Sequence, residues 1–323
     1  MDSTHRGRPA GEVAALSVAK AAAPRSTAPG LALAGVGAAA FSAKAIIVKL
    51  AYRYDVDAVT LIMYRMLFAL PFFVAMAWWA GRGRARLTPR ELRGVVGLGF
   101  CGYYLASFLD FAGLAYISAS LERLILYLGP TLVMLLGWWL HGRRPRPLQW
   151  VAMAVSYAGV VLVFGTEAGA QGPQAAWGML LVLLSALSYA VYMVFSGEMV
   201  RRLGSLRLVG WATSFACLFC LLQFVLLRPL AAAWVAPEVV WLSLANAVFC
   251  TSVPVLLVMM AIERIGADMA AQMGLLGPLS TIALGVWLLG EPVTIGLVAG
   301  SALVLTGIYL FTRWAHGPRI GHA

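Results

Sequence analysis

Five ionisable side chains interrupt hydrophobic runs that are otherwise free of charge: Lys44, Arg65, Asp110 and the adjacent pair Glu122 and Arg123. Each sits in a run of about 20 apolar residues, the length a helix needs to cross a bilayer core of about 30 Å. Counted along their runs, all five fall at one depth, roughly 20–24 Å from one face of that core. A charge at the centre of a spanning helix costs about 2.5–3.5 kcal/mol, and more against lipid, so these groups must pair, face the bundle interior or line water. Three cations and two anions leave one surplus positive charge. Two readings are open. In one, Arg65–Asp110 and Glu122 with Lys44 or Arg123 are structural ion pairs tying the first four helices together. In the other, the surplus cation meets an anionic solute group such as a carboxylate, and one acid carries a proton as the coupling ion. Lys49 lies nearer its helix end and is expected to snorkel to the interface.

Uncharged polar residues extend the candidate site. Tyr103, Ser107 and Asp110 share one helical face, as do Ser185, Tyr189, Tyr192 and Ser196. Asn246 and Gln272 add hydrogen-bonding groups in later runs. The candidate substrate-binding set is therefore Lys44, Arg65, Tyr103, Ser107, Asp110, Glu122, Arg123, Tyr189, Tyr192, Asn246 and Gln272. Tyrosines on an inner face are equally compatible with packing and a satisfied hydroxyl. Gly129–Pro130 and Gly277–Pro278 are candidate hinges or fixed kinks, because proline removes a backbone donor.

The elements that hold these residues are membrane helices. Hydrophobic residues make up 62% of the 323-residue chain and charged residues 11%, against about 25% charged in soluble domains. Such a chain lacks the charge to cover a water-facing surface and must meet the lipid bilayer. The net charge of +11 does not point to nucleic acid, because the arginines sit in short loops between apolar runs. Cys101, Cys217, Cys220 and Cys250 lie inside apolar runs and read as small packing residues, with no metal site expected. No catalytic motif is present, and His5, His141, His316 and His322 all lie outside the spans. Neither an enzyme nor a cofactor is expected.

Ten spans are expected, at roughly 31–51, 58–80, 94–115, 117–140, 148–165, 176–198, 206–228, 238–262, 267–289 and 293–312. Residues 1–30 read as a disordered cytoplasmic tail and 313–323 as a cytoplasmic C-terminal tail. Of the 20 Lys and Arg outside the spans, 18 fall on the side shared by both termini, leaving Arg53 and Arg228 on the other. The positive-inside rule then places both termini in the cytoplasm. All 11 tryptophans fall near span ends, as an interfacial belt requires.

The stretch Ile117 to Phe164 recurs without a gap as Ile265 to Thr312, at a constant offset of 148. Ile117, Leu128, Gly129, Pro130, Gly137, Trp139, Gly142 and Gly159 reappear as Ile265, Leu276, Gly277, Pro278, Gly285, Trp287, Gly290 and Gly307. Residues 31–165 and 176–312 thus read as two five-helix repeats. Five is odd, so the second repeat enters the membrane from the opposite face, and a pseudo-twofold axis lies in the membrane plane. The expected fold is an all-α membrane protein of ten transmembrane helices in two inverted repeats. Gly296-x-x-x-Gly300 in the last span is expected to pack closely, facing Ala152 and Ser156.

Over nearly its whole length the chain resembles the EamA-type exporters of the drug/metabolite transporter superfamily. The resemblance rests on the two-repeat layout, Arg65, and the segments Ile117–Trp139 and Ile265–Pro292, with the acidic residue after the ninth helix present as Glu291. The first repeat departs from the pattern, with Arg143 at the equivalent place. The resemblance implies a multi-pass protein of the cytoplasmic (inner) membrane that effluxes amino acids or similar small-molecule substrates, as a monomer or as a homodimer through its peripheral end helix. From another class, a non-transporting membrane scaffold with structural buried ion pairs fits the same charges.

Overall fold

Apolar runs this long fold as helices because a bilayer interior offers no water to backbone groups, and an α-helix satisfies them within one segment. The computed structural model describes residues 28–142, 145–265, 273–274 and 276–315, and no strand occurs among the described residues. Eight helices are long and apolar enough to cross a membrane. They are α1 (Ala28–Tyr52), α2 (Ala58–Gly81), α3 (Pro89–Leu114), α4 (Ala119–Leu140), α5 (Pro147–Thr166), α6 (Ala175–Leu203), α7 (Ser205–Leu227) and α8 (Pro237–Val258). Two shorter apolar helices, α9 (Leu276–Leu289) and α10 (Ile295–Phe311), follow at the last two expected positions.

Helix ends differ from the hydropathy reading where side chains cap them. α3 starts at Pro89 rather than near 94, because Thr88 and Glu91 form a capping box ahead of the apolar run. α2 starts where Asp57 accepts from Val59 N at 2.9 Å and Thr60 N at 3.3 Å. α4 starts at Ser118, whose hydroxyl accepts from Leu121 N. It then breaks at Tyr127–Leu128 and restarts at Gly129. Pro130 stands in the first turn of the new segment, where a missing N–H leaves no bond unmade. It therefore starts a helix and does not interrupt one.

Among the described residues three helices carry a π-turn: Phe100–Leu105 in α3, Val248–Ser252 in α8 and Gly285–Leu289 in α9. The first two start at Phe100 and Val248, which are separated by the same offset of 148 as the sequence repeat.

Small residues set which helices touch. α2 meets α7 through Ala77 at Gly210, α3 meets α6 through Gly113 at Gly178, and α5 meets α10 through Gly159 at Gly300. α1 meets α8 through Gly37 at Val258, and α4 meets α9 through Ser120 at Gly285. Within each pair rising numbers on one helix meet falling numbers on the other, so every pair is antiparallel. A Cβ at Gly300 would lie 2.6 Å from the Gly159 carbonyl, so only glycine allows this approach. The antiparallel run also corrects the expected partners of Gly296 and Gly300. Gly296 meets Thr166 and Gly300 meets Val163, while Ala152 and Ser156 face Gly307.

Lipid contact occupies the outer faces. Trp139, Trp177, Trp234, Trp241 and Trp287 are exposed near helix ends, and the Arg82 guanidinium lies 3.8 Å over the Trp78 ring.

Partial burial pushes the Asp57 carboxyl up, but hydrogen bonds from Thr60 and Val59 and the nearby Arg228 outweigh it and hold the group below the usual carboxylate range. A depressed folded-state pKa adds stability that is present at neutral pH and disappears as acid protonates the group. Asp57→Ala should therefore lower stability by about 0.5–2 kcal/mol at neutral pH, and the gap to the parent should close on acidification. Thermal melting in detergent across a pH series measures both.

Candidate functional site

The charged layer gathers where α1 lies between α3 and α4. Lys44 Nζ sits 2.5 Å from Asp110 Oδ2 and 3.4 Å from Glu122 Oε1, so one ammonium bridges acids on two helices. Arg123 lies 3.9 Å from the carboxylate of its neighbour Glu122. That same Nε donates to Thr281 Oγ1 at 3.0 Å in the second half of the chain, and Nη2 donates to the carbonyls of Phe41 and Ser42 on α1. Lys44, Arg123, Asp110 and Glu122 thus form an electrically neutral quartet.

Arg65 is outside that quartet. The expected Arg65–Asp110 pair does not form, because Lys44 takes Asp110 and Arg65 points from α2 toward α8. No acidic oxygen of the described residues lies within 4.0 Å of it. Its Nε donates to Thr251 Oγ1 at 3.1 Å, and the guanidinium stands 5.1 Å from the Phe111 ring centroid. Among the described residues Nη1 has no hydrogen-bond partner although the residue is buried, and Asp110 Oδ1 is likewise unpartnered. The surplus positive charge counted in the sequence is therefore Arg65.

A cavity of about 480 Å³ opens against this layer. Lys44, Arg65, Asp110 and Arg123 line it together with Tyr103, Ser107, Tyr189 and Thr251. The rest of its wall includes Phe41, Phe73, Val209, Val255 and Val258, which lie on the side of the charged layer toward the arginine-rich helix ends. The site is polar at one end and apolar along the other, within the size range of small-molecule pockets.

The remaining expected site residues divide. Tyr192 is buried behind the wall, its hydroxyl 3.1 Å from that of Tyr103 and its ring stacked on Tyr189 at 5.5 Å. Asn246 does not reach the cavity and donates to the Lys44 carbonyl at 3.4 Å. Glu122 is fully buried behind Lys44 and is not part of the lining. Gln272 lies outside the described residues. Ser185 and Ser188 spend their hydroxyls on the carbonyls of Ala106 and Cys101, bonding α6 to α3. Lys49 donates to the carbonyls of Leu114 and Ile117 at the end of α3, where a cation meets the negative helix terminus. Of the candidate hinges, Gly129 lines the cavity, and Gly277 accepts from Ser42 Oγ at 2.9 Å through its carbonyl. The Tyr127 hydroxyl donates to the Gly274 carbonyl, tying the break in α4 to the approach to α9.

One contact was not anticipated from spacing. Glu291, in the turn after α9, accepts from Ala119 N at 2.7 Å, Ser120 N at 3.2 Å and Ser120 Oγ at 2.6 Å. It caps the start of α4 from across the molecule, supplying an anion to unpaired amides at the positive end of a helix. A second cavity of about 540 Å³ lies beyond this cap, lined by Lys49, Arg53, Tyr116, Ser118, Ser120 and Glu291. The presence of an acid after the ninth span was the available signal; its partner could not be read from sequence.

Comparison with known proteins agrees with this architecture. The model of the EamA-like transporter family matches residues 28–165 and again residues 176–313. The "Uncharacterized transporter YcbK" of Bacillus subtilis (strain 168) is 29% identical over 288 residues, covering 84% of this chain and 90% of that one. An "Uncharacterized transporter" of Archaeoglobus fulgidus is 25% identical over 265 residues, covering 81% of this chain and 90% of that one. A solved crystal structure superposes with a TM-score of 0.59 at 20% identity over 89% of this chain and 99% of its own, which is a likeness of fold. The chain belongs to the EamA-like transporter family and is a multi-pass membrane transporter.

Proposed function

We propose that this transporter is a secondary carrier that exports an amino acid, or a similar small amphipathic metabolite, by alternating access between two inverted five-helix repeats in the cytoplasmic membrane. The observation that carries the reading is that two residues lining the cavity, Arg65 and Asp110, each hold a buried atom with no partner among the described residues, Nη1 and Oδ1. A zwitterion supplies a carboxylate to the first and an ammonium to the second, while its side chain lies along Phe73, Tyr103 and Tyr189. Burial strengthens both contacts, because an unpaired polar group out of water costs about 1–3 kcal/mol until a ligand arrives. Glu122, held loosely between Lys44 and Arg123, is the acid placed to carry a coupling proton.

Antiparallel packing of α2 on α7, α4 on α9 and α5 on α10 supports the inverted arrangement of residues 31–165 and 176–312. A twofold axis along the membrane normal would make those pairs parallel. The cavity extends toward the arginine-rich helix ends, which the positive-inside rule assigns to the cytoplasm. Glu291 closes the other side, so this conformation loads from within. The scaffold reading survives for one part of the cluster: Arg123 spends Nε and Nη2 on Thr281 and the carbonyls of Phe41 and Ser42 and acts as a strap between α4, α1 and α9.

Arg65→Ala should leave an assembled protein, since no acid loses its partner, and should abolish counterflow of amino acids in proteoliposomes. Transport equal to the parent would place the site elsewhere. Arg123→Ala should instead reduce the yield and melting temperature of the protein, because breaking a buried charged contact costs about 3–5 kcal/mol. A reporter fused after Ala323 should be cytoplasmic, and a cysteine at Gly172 should react with impermeant reagents from outside; an external C-terminus would refute the inverted topology. In a background lacking the native cysteines, a cysteine at Ser107 should label faster from outside once Glu291→Ala removes the cap. An unchanged rate would show that the cap does not control access.

A further inference from the structure

Arg65 has three guanidinium nitrogens, and which of them remains for a solute depends on what holds the other two. Nε is held by Thr251, whose hydroxyl in turn donates to the Asn246 carbonyl at 3.0 Å. That hydroxyl has one proton to give, and giving it to Asn246 fixes its lone pairs toward Nε. With the Nε edge occupied, Arg65 keeps its terminal edge at the wall of the cavity that the residue lines, where Nη1 is buried and has no partner among the described residues. The same chain continues through the Asn246 side chain to the Lys44 carbonyl, joining α2, α8 and α1.

Thr251 reaches this position because of a backbone irregularity. It lies in the π-turn Val248–Ser252, where the widened turn brings its hydroxyl to the carbonyl five residues earlier instead of four. π-turns within helices are frequent at functional sites. The equivalent turn in α3 carries Tyr103, which is offset from Thr251 by the repeat distance of 148 and also lines the cavity. Both repeats thus deform the same turn to deliver a side chain to the same cavity, and only the second delivers a short hydroxyl beside Arg65.

We propose that Thr251 is a positioning residue that selects for carboxylate-bearing solutes, by turning the terminal edge of Arg65 toward the cavity for end-on bidentate binding. The inference rests on Arg65 being the carboxylate receptor assigned above. A guanidinium freed from Thr251 keeps its charge but loses the orientation that bidentate pairing needs. The loss falls on solutes with a planar oxyanion and not on neutral analogues of the same shape.

The test uses the full chain in proteoliposomes with L-phenylalanine and L-phenylalaninamide as probes, comparing KM and maximal rate. The parent should take up phenylalanine with a clearly lower KM than the amide. Thr251→Val should raise the KM for phenylalanine about tenfold, the scale of a hydrogen bond to a charged group. It should leave the amide and the maximal rate near the parent values, and Thr251→Ser should restore the preference. A parent that does not distinguish the probes, or transports neither, overturns the Arg65 reading and this inference with it. A parent that discriminates while Thr251→Val weakens both probes equally, or neither, overturns the role of Thr251 alone. Should Thr251→Val fail to assemble, Thr251→Ala against Thr251→Ser carries the same comparison, and equal behaviour of those two overturns the inference.

Discussion

A buried ammonium that serves two carboxylates on different helices governs how the first half of this protein assembles. In an apolar interior neither Asp110 nor Glu122 can hold its charge without a cation, and Lys44 is the side chain that reaches both. That requirement ties α1 to α3 and α4 more tightly than shape alone, since the surrounding residues are apolar and non-directional in their contacts. Phe111, Leu114, Ile46 and Ile62 then fill the space that this arrangement leaves. Because the quartet neutralises itself, Arg65 is the cation left over at the cavity wall.

The two halves of the chain do different work. The first supplies every charge of the layer, and the second answers with uncharged groups: Thr251 to Arg65, Thr281 to Arg123 and the Gly277 carbonyl to Ser42. Hydroxyls and carbonyls satisfy guanidinium donors without adding a counter-charge, so they hold Arg65 in place while leaving its positive charge uncancelled. An acid at either threonine would have cancelled it. Glu291 is the exception that fits the rule, for it is placed away from the cavity and engages backbone amides of α4, where an anion is favoured.

Much of this frame can be read from the sequence because membrane insertion imposes a strong length and polarity rule. The positions of the eight long helices, of the two shorter ones and of the paired Gly-Pro sites follow from it and from the constant offset between the repeats. Pairing does not follow. Lys44, Arg65 and Arg123 have the same sign at the same depth, and rotation about each helix axis decides which of them meets Asp110. Nor does hydropathy register a capping box, which is why the start of α3 at Pro89 was displaced; the Thr88-x-x-Glu91 spacing carried that information. The cap from Glu291 joins residues 171 and 172 positions apart, a separation at which no local pattern operates.

The π-turns connect the symmetry of the backbone to the asymmetry of the chemistry. A carrier that exposes one site alternately to two faces gains from halves of equal mechanical design, since each must open as the other closes. The solute proposed above, with a carboxylate at one end and an apolar body at the other, needs unequal walls. Duplication followed by divergence meets both demands here, because the turns beginning at Phe100 and Val248 keep the same position while the residue each presents has changed, tyrosine in one and threonine in the other. Tyr103 offers a ring and a hydroxyl shared with Tyr192, whereas Thr251 offers a hydroxyl committed to Arg65. The turn keeps its place in both halves while the polarity of the residue it presents differs, so the cavity has distinguishable ends.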